Sequence, residues 1–394
     1  MESKVPEPRQ YPRIRLRGSP HERGRRYGEA ARDRIHRSRR GYEAAFAQAA
    51  GWRWEQAVEA AAPLEAAIAE AFPAYVEEMH GIAEGARLGF ADVLTLNART
   101  EVLWAATARQ AAAMRTAHAR ECSAFALLPG RTADRHTLIG QNWDWLLQGF
   151  DTVVTLEVEQ DDGPNYVTVV EAGLLAKMSM NSSGLAVATN ALVTSEDRGA
   201  PGLPYHIVLR ALADCHSLTD AVNVIQRHWR SSSANYLLAH RDGAAINVEA
   251  APGDHSRVYP QLPVRGGLVH TNHFLAFLRD VTDVSVYAMP DSLVRLQRVR
   301  QAIAETDEPV TVDSLHRALG DHADHPHSVC CHPDPRDAPD RRWATIVSVI
   351  MDLDDRTMWI SAGNPCEHPH RPLTFGDLLD KPSPLRPAPA PAPG

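Results

Sequence analysis

The chain has 394 residues, 44% of them hydrophobic and 23% charged, and a net charge of −8. This suits one large or two ordinary globular domains, and it argues against nucleic acid as a partner, which calls for a basic patch or stripe. No run reaches the roughly 18 apolar residues of a membrane span, residues 1–16 lack the apolar core of a signal peptide, and five cysteines in so long a chain do not form a disulfide framework; the expected address is the cytoplasm.

In chain order, residues 11–16 read as a short strand and 18–25 as a loop. A charged helical pattern covers 26–50, where arginines alternate with acids as on a solvated helix face. The helix resumes over 52–71 and breaks at Pro63, whose ring obstructs the preceding turn. Pro73 opens a further helix, because a first turn tolerates proline, and Tyr75, Met79, Ile82 and Ala83 share one face of it. Asp92 reads as the cap of a helix over 93–113.

The pattern then changes. Residues 123–128, 137–139, 152–158 and 166–171 are short, rich in valine, threonine and aromatics, and read as strands. Turn residues at 161–165 predict a hairpin, and 177–181 with 184–190 predict another. Helices follow over 205–214 and 218–229, with Ser217 and Asp220 arranged as a capping box. Strands at 236–240 and 244–250 flank Arg241-Asp242-Gly243. A strand at 268–272, helices at 291–303 and 312–319, and a hairpin of 345–352 with 357–361 complete the body. The Pro-Ala tail from 381 reads as disordered or polyproline. Hairpins exclude an all-parallel sheet. The expected class is α+β, two stacked antiparallel sheets with helices on the outer faces.

Cys122 stands where the helical part gives way to strands, and Asp144 follows after a polar, turn-rich insert at 130–136. A hairpin of that length returns the chain beside its start and brings a thiol and a carboxylate to one sheet end. A cysteine nucleophile ordinarily needs a histidine base, and nothing selects one among nineteen histidines. If the bond before Cys122 is cut, the freed α-amine, of ordinary pKa about 7.7–8.0, can take the thiol proton itself. Read alone, Cys122 also suits a buried core, Asp144 a strand-end turn and Asn272 a satisfied polar turn.

The stretches Arg120-Glu121-Cys122-Ser123-Ala124-Phe125 and Gly140-Gln141-Asn142-Trp143-Asp144 carry a resemblance. So do Glu78-Met79-His80-Gly81, Leu96-Asn97-Ala98-Arg99-Thr100-Glu101, Met180-Asn181-Ser182-Ser183-Gly184, His270-Thr271-Asn272-His273 and Gly363-Asn364-Pro365-Cys366-Glu367. Together and in order they resemble the acyl-coenzyme A:6-aminopenicillanic acid acyltransferase family (isopenicillin N acyltransferases, C45 peptidases), which are N-terminal-nucleophile hydrolases. The match runs from about residue 12 to 370.

The resemblance implies an αββα sandwich and autoproteolysis between Glu121 and Cys122. Residues 1–121 would form a helical propeptide of the same fold, 122–380 the catalytic body, and 381–394 a tail, with the cleaved fragments held together as a heterodimer. Glu121 departs from the glycine of the best-known member. Cys122 would supply thiolate and α-amine, Asp144 would hold the amine, and Asn272 would donate to the oxyanion, with a backbone N–H near Asn181 or Asn190 completing the hole. Arg295 is a candidate catalytic arginine by analogy with choloylglycine hydrolases, and Cys331 stands where related sequences often carry arginine. The implied substrate is an N-acyl amide or acyl thioester, with no cofactor and no metal, and N-acyl amide hydrolysis is favoured over acyl-CoA-dependent transfer to amines like 6-aminopenicillanic acid.

Two rival readings belong to other classes. His322, His325, His327, Cys330, Cys331 and His332 offer zinc ligands, but their spacing departs from paired Cys-x₂₋₄-Cys and His-x₃₋₅-His, so a polar loop is preferred over a non-catalytic zinc-binding protein. Residues 20–118 read alone as a helical interaction module, a role the propeptide reading absorbs.

Overall fold

The computed structural model describes residues 10–108 and 122–380. The strands are β1 (Arg13–Leu16), β2 (Ser123–Leu127), β3 (Leu138–Leu146), β4 (Val153–Val158), β5 (Tyr166–Glu171), β6 (Met178–Asn181), β7 (Leu185–Ala191), β8 (Ala234–His240), β9 (Ala244–Ala250), β10 (Val258–Gln261), β11 (Gly267–His270), β12 (Trp343–Asp352), β13 (Thr357–Ser361) and β14 (Arg371–Thr374). They form an eight-stranded sheet, β1-β4-β5-β6-β7-β8-β9-β10, and a six-stranded sheet, β11-β2-β3-β12-β13-β14. Pairing is antiparallel except that β1 runs parallel to β4. The protein is α+β, as the hairpins imply.

The sheets stack face to face. The Thr189 N–H on β7 donates across the gap to Gln141 Oε1 on β3 at 2.6 Å. Helices α8 (Tyr205–Ala213) and α9 (Leu218–Arg227) cover the larger sheet, whereas α11 (Asp291–Val299) and α12 (Val312–Leu319) cover the smaller one. Period-two alternation along β2 explains the layering. Ala124 and Ala126 face the main core between the sheets, while Phe125 and Leu127 pack with Leu296, Val299 and Leu315 of the outer helices.

Seven helices precede β2 among the described residues: α1 (Pro20–Ala30), α2 (Arg32–Ala50), α3 (Trp54–Ala61), α4 (Leu64–Ala71), α5 (Pro73–Ala86), α6 (Phe90–Asn97) and α7 (Arg99–Thr107). Residues 20–25, expected as loop, are helical because Ser19 and Glu22 form a capping box ahead of Pro20. Helices α1 and α5 meet backbone to backbone. A Cβ on Gly24 would lie 2.0 Å from the Glu78 carbonyl oxygen, and one on Gly81 2.1 Å from that of His21. The arginine-rich face is accordingly not all solvated: Arg23 is buried, with its guanidinium 3.3 Å from Glu78.

The helix expected over 93–113 instead starts at Phe90, where the Asp92 carboxylate accepts the Gly89 N–H, and it breaks at Ala98. Residues 109–113 of that expectation lie outside the described part, as do Glu121 and the tail from 381. Strand β3 runs to Leu146 rather than Ile139, β11 stops at His270, and β10, β14 and the short α10 (Ser285–Ala288) and α13 (Asp377–Asp380) carried no sequence signal. No helix of the described residues is long and apolar enough to cross a membrane.

Candidate active site

Strand register builds the site. Ser123 on β2 lies opposite Asn142 on β3, and Ala124 lies opposite His270 on β11. Cys122 immediately precedes β2, Asp144 lies on β3 two residues beyond Asn142, and Asn272 follows the end of β11 by two residues. Cys122 is buried and belongs to the core between the sheets, whereas Ser123 turns the other way toward α11.

Three side chains converge on this corner. The Cys122 carbonyl oxygen accepts from Asn190 Nδ2 at 2.9 Å and from Arg295 Nη1 at 3.0 Å. Asn190 cannot be flipped without loss, because its Oδ1 already accepts from Asn235 Nδ2 at 3.0 Å. Arg295 also donates to Asn272 Oδ1 at 3.0 Å and to Ser123 Oγ at 3.2 Å. A single planar guanidinium thus ties the first residue of β2 to Asn272, a bridging role for which its forked donors suit it. Asp291, one helical turn before Arg295 on α11, accepts from its Nε at 2.8 Å. Burial opposes the charge on Arg295, but Asp291 and then Asp144 outweigh it and hold its pKa above the ordinary value.

Asn272 Nδ2 donates to the Ala191 carbonyl at 3.0 Å, which leaves its second N–H for another acceptor. Its backbone N–H is held by Ser292 Oγ at 2.8 Å. The buried Glu249 braces the same segment, binding His270 Nε2 at 2.7 Å and the N–H groups of Leu275 and Ala276 at 2.6 and 2.9 Å. Glu249 is shifted down: burial raises it, and the His270 contact with the two amides overcomes that. His273 stands against Ser292 Oγ at 2.7 Å, and burial, with His270 and Arg295 nearby, lowers its pKa to about 4. Both histidines flanking Asn272 therefore have structural partners.

Asp144 Oδ1 accepts from Thr345 Oγ1 at 2.6 Å, and that hydroxyl accepts the Cys331 N–H at 2.9 Å. Thr345 lies opposite Asp144 on β12, just before a register shift. This links the carboxylate to the loop between α12 and β12.

Of the residues selected from sequence, Cys122, Asn190, Asn272 and Arg295 form one connected group, and Asp144 joins it through its field on Arg295. Asn181 does not come to it. Its amide closes the β6–β7 turn, accepting from Ser183 and Leu185 N–H and donating to the Ala213 and Cys215 carbonyls. The side chain of Asn181 is thus committed to its own turn. Thr345, Asn235 and Glu249 were missed; only Thr345 had a legible cue, its place on a strand beside the Cys/His loop. In that loop His327 faces Asp334 at 3.3 Å, while Cys331 turns into the core.

A family model described as acyl-coenzyme A:6-aminopenicillanic acid acyl-transferase matches residues 131–367. The chain belongs to this family. It is accordingly an enzyme of the acyl-transferase type. The family's acyl-coenzyme A:6-aminopenicillanic-acid-acyltransferase 40 kDa form from Emericella nidulans is 26% identical over 322 residues, 81% of this chain and 83% of the relative. Among solved structures, the chain is similar to the Caenorhabditis elegans N-acylethanolamine-hydrolyzing acid amidase ortholog, with 12% identity, 59% and 93% of the two chains covered and a TM-score of 0.43. It is also similar to penicillin V acylase from Agrobacterium tumefaciens, with 14% identity, 61% and 83% covered and a TM-score of 0.38.

Proposed function

We propose that the chain is cut between Glu121 and Cys122 and that Cys122 then attacks the carbonyl of an N-acyl amide. The observation that carries this reading is the pinning of the Cys122 carbonyl by Asn190 and Arg295. A chain end ordinarily frays. A carbonyl held by two buried donors keeps a new N-terminus, with its thiol and amine, in register beside Asn272.

In the first event the Cys122 thiol adds to the residue-121 carbonyl, the peptide nitrogen departs with the thiol proton, and water resolves the thioester. In turnover the α-amine takes the thiol proton and sulfur attacks the substrate carbonyl. The free N–H of Asn272 supports the tetrahedral oxyanion; a preorganised donor of this kind contributes about 3–4 kcal/mol. The α-ammonium returns its proton to the leaving amine, and water then releases the acid from the acyl-cysteine. Asp144 favours the ammonium form by its charge. The hydrogen bond from Thr345 Oγ1 at 2.6 Å fixes the orientation of its carboxylate.

Residues 1–121 are proposed as a fragment that stays bound after cleavage. In support, β1 is a strand of the larger sheet, Arg99 pairs with Glu171 at 3.2 Å, and Glu101 accepts from Tyr205 N–H at 2.9 Å and Ser232 Oγ at 2.5 Å. A second reading, transfer of the acyl group to an amine rather than water, is favoured by the name of the Emericella nidulans relative.

The test is turnover of a panel of N-acyl amides and acyl thioesters, with and without an amine acceptor, followed by mass analysis of the quenched enzyme. Expected are an acyl adduct on the fragment beginning at Cys122 and no turnover by Cys122→Ala. Turnover that survives Cys122→Ala would overturn the assignment.

A further inference from the structure

Two of the cysteines outside the active site, Cys330 and Cys366, lie together. The fold gathers His322, Cys330, His332 and Cys366 so that one ligand atom of each lies within 4.8 Å of the others. Cys330 Sγ is 3.5 Å from Cys366 Sγ and 3.5 Å from His332 Nε2; Cys366 Sγ is 3.3 Å from that nitrogen; and His322 Nε2 is 3.1 Å from it. We propose that these four side chains form a Cys₂His₂ site that binds one zinc ion.

The dimensions support it. Zinc bonds of about 2.3 Å to sulfur and about 2.0–2.1 Å to nitrogen give tetrahedral edges of about 3.8 Å for S–S, 3.5 Å for S–N and 3.3 Å for N–N. The four separations lie within a few tenths of an ångström of those edges. The donor set of two thiolates and two imidazoles is that of a closed structural zinc site, and two thiolates neutralise the divalent charge. The surroundings have the pattern of such sites, in which outer groups orient the ligands. Asn364 Nδ2 donates to Cys330 Sγ at 3.4 Å, and Glu367 Oε1 stands 4.0 Å from His332 Nδ1, the nitrogen turned away from the cluster. Cys330 is buried, while His322 and Cys366 are exposed, which gives the ion a way in.

The site also has a structural task. His322, Cys330 and His332 come from the loop between α12 and β12, and Cys366 from the connection after β13. An ion there staples the two segments. Cys330 and His332 flank Cys331, whose N–H holds Thr345 Oγ1 beside Asp144. The zinc therefore fixes one side of the catalytic corner without touching it.

The test is zinc content by elemental mass spectrometry on full-length protein purified without chelator, challenged with zinc chloride and desalted. Wild type and Cys122→Ala are each expected to hold about one zinc per chain and Cys366→Ser well under half of that, since loss of a ligand opens the site. Cobalt-loaded wild type should show tetrahedral d–d bands with thiolate charge transfer. Cys366→His, which keeps four ligands, should retain metal with a weaker charge-transfer band, and it guards against a Cys366→Ser chain that fails to fold. A wild type that stays metal-free, equal zinc in wild type and folded Cys366→Ser, or a Cys330–Cys366 disulfide in non-reducing peptide maps would overturn the site. Equal zinc in Cys122→Ala keeps this result separate from the catalytic reading.

Discussion

Two cysteine-bearing corners of one molecule face opposite tasks. Around Cys122 the neighbours are donors: the Asn190 amide and the Arg295 guanidinium point at its carbonyl oxygen, and Asn272 is tied to the same guanidinium. Around Cys330 and Cys366 stand the imidazole nitrogens of His322 and His332, with one amide donor, Asn364 Nδ2, on Cys330 Sγ. Converging donors stabilise negative charge that develops on oxygen. Converging lone pairs need a cation. The thiol is the same in both places, and the groups that surround it separate a nucleophile from a metal ligand.

The largest effect should come from removing the group that organises the first corner. Arg295→Ala leaves Asp291 without its buried partner and should cost about 3–5 kcal/mol of stability, read by denaturant unfolding. Arg295→Lys keeps the charge but not the fork; it should remain folded and lose most of kcat. Next is Asn272→Ala, for which loss of an oxyanion donor predicts a fall in kcat of about 10²–10³-fold, with KM changing far less, measured by steady-state kinetics on a purified, processed chain. Thr345→Val, a positioning change, removes the donor to Asp144 and the acceptor of the Cys331 N–H. It should cost about 1–3 kcal/mol and move the pH profile of kcat/KM, which a purely structural role would not do.

The smallest effect is a pH slope in the helical fragment. Burial, only partly offset by hydrogen bonds from Ser232 and Tyr205, raises Glu101 from its ordinary 4.5 to about 7. Folding therefore takes up a proton between those two values. The stability Glu101 contributes is complete below 4.5 and is lost as pH rises through about 7. Unfolding midpoints from pH 4 to 8 should show that decline in the wild type and a flatter course in Glu101→Gln.

Sequence made the local features legible. Hairpins with glycine or aspartate turns, and the helical spacing of Tyr75, Met79 and Ile82, are short-range signals that the structure keeps. The Cys122–Asp144 relation was readable because one hairpin carries it. Arg295 was reached through the family analogy, although Asp291 one turn earlier is a local cue. What escaped depends on distant chain. Thr345 had a cue in its strand beside the Cys/His loop, but its partner Asp144 is fixed only when β12 pairs with β3. Cys366, 36 residues beyond Cys330, joins its cluster only because β12 and β13 fold back. A spacing rule applied within one loop therefore rejected a ligand set whose fourth member lay elsewhere. Asn181 spends its side-chain amide on its own turn, as asparagine commonly does.

The most direct test of the central claim is intact-mass spectrometry of freshly purified wild type beside Cys122→Ala. The account predicts two co-purifying fragments in the wild type, 1–121 and 122–394, and a single uncut chain in Cys122→Ala. An uncut wild-type chain that still turns over substrate would contradict it, because Cys122 would then act without a free α-amine.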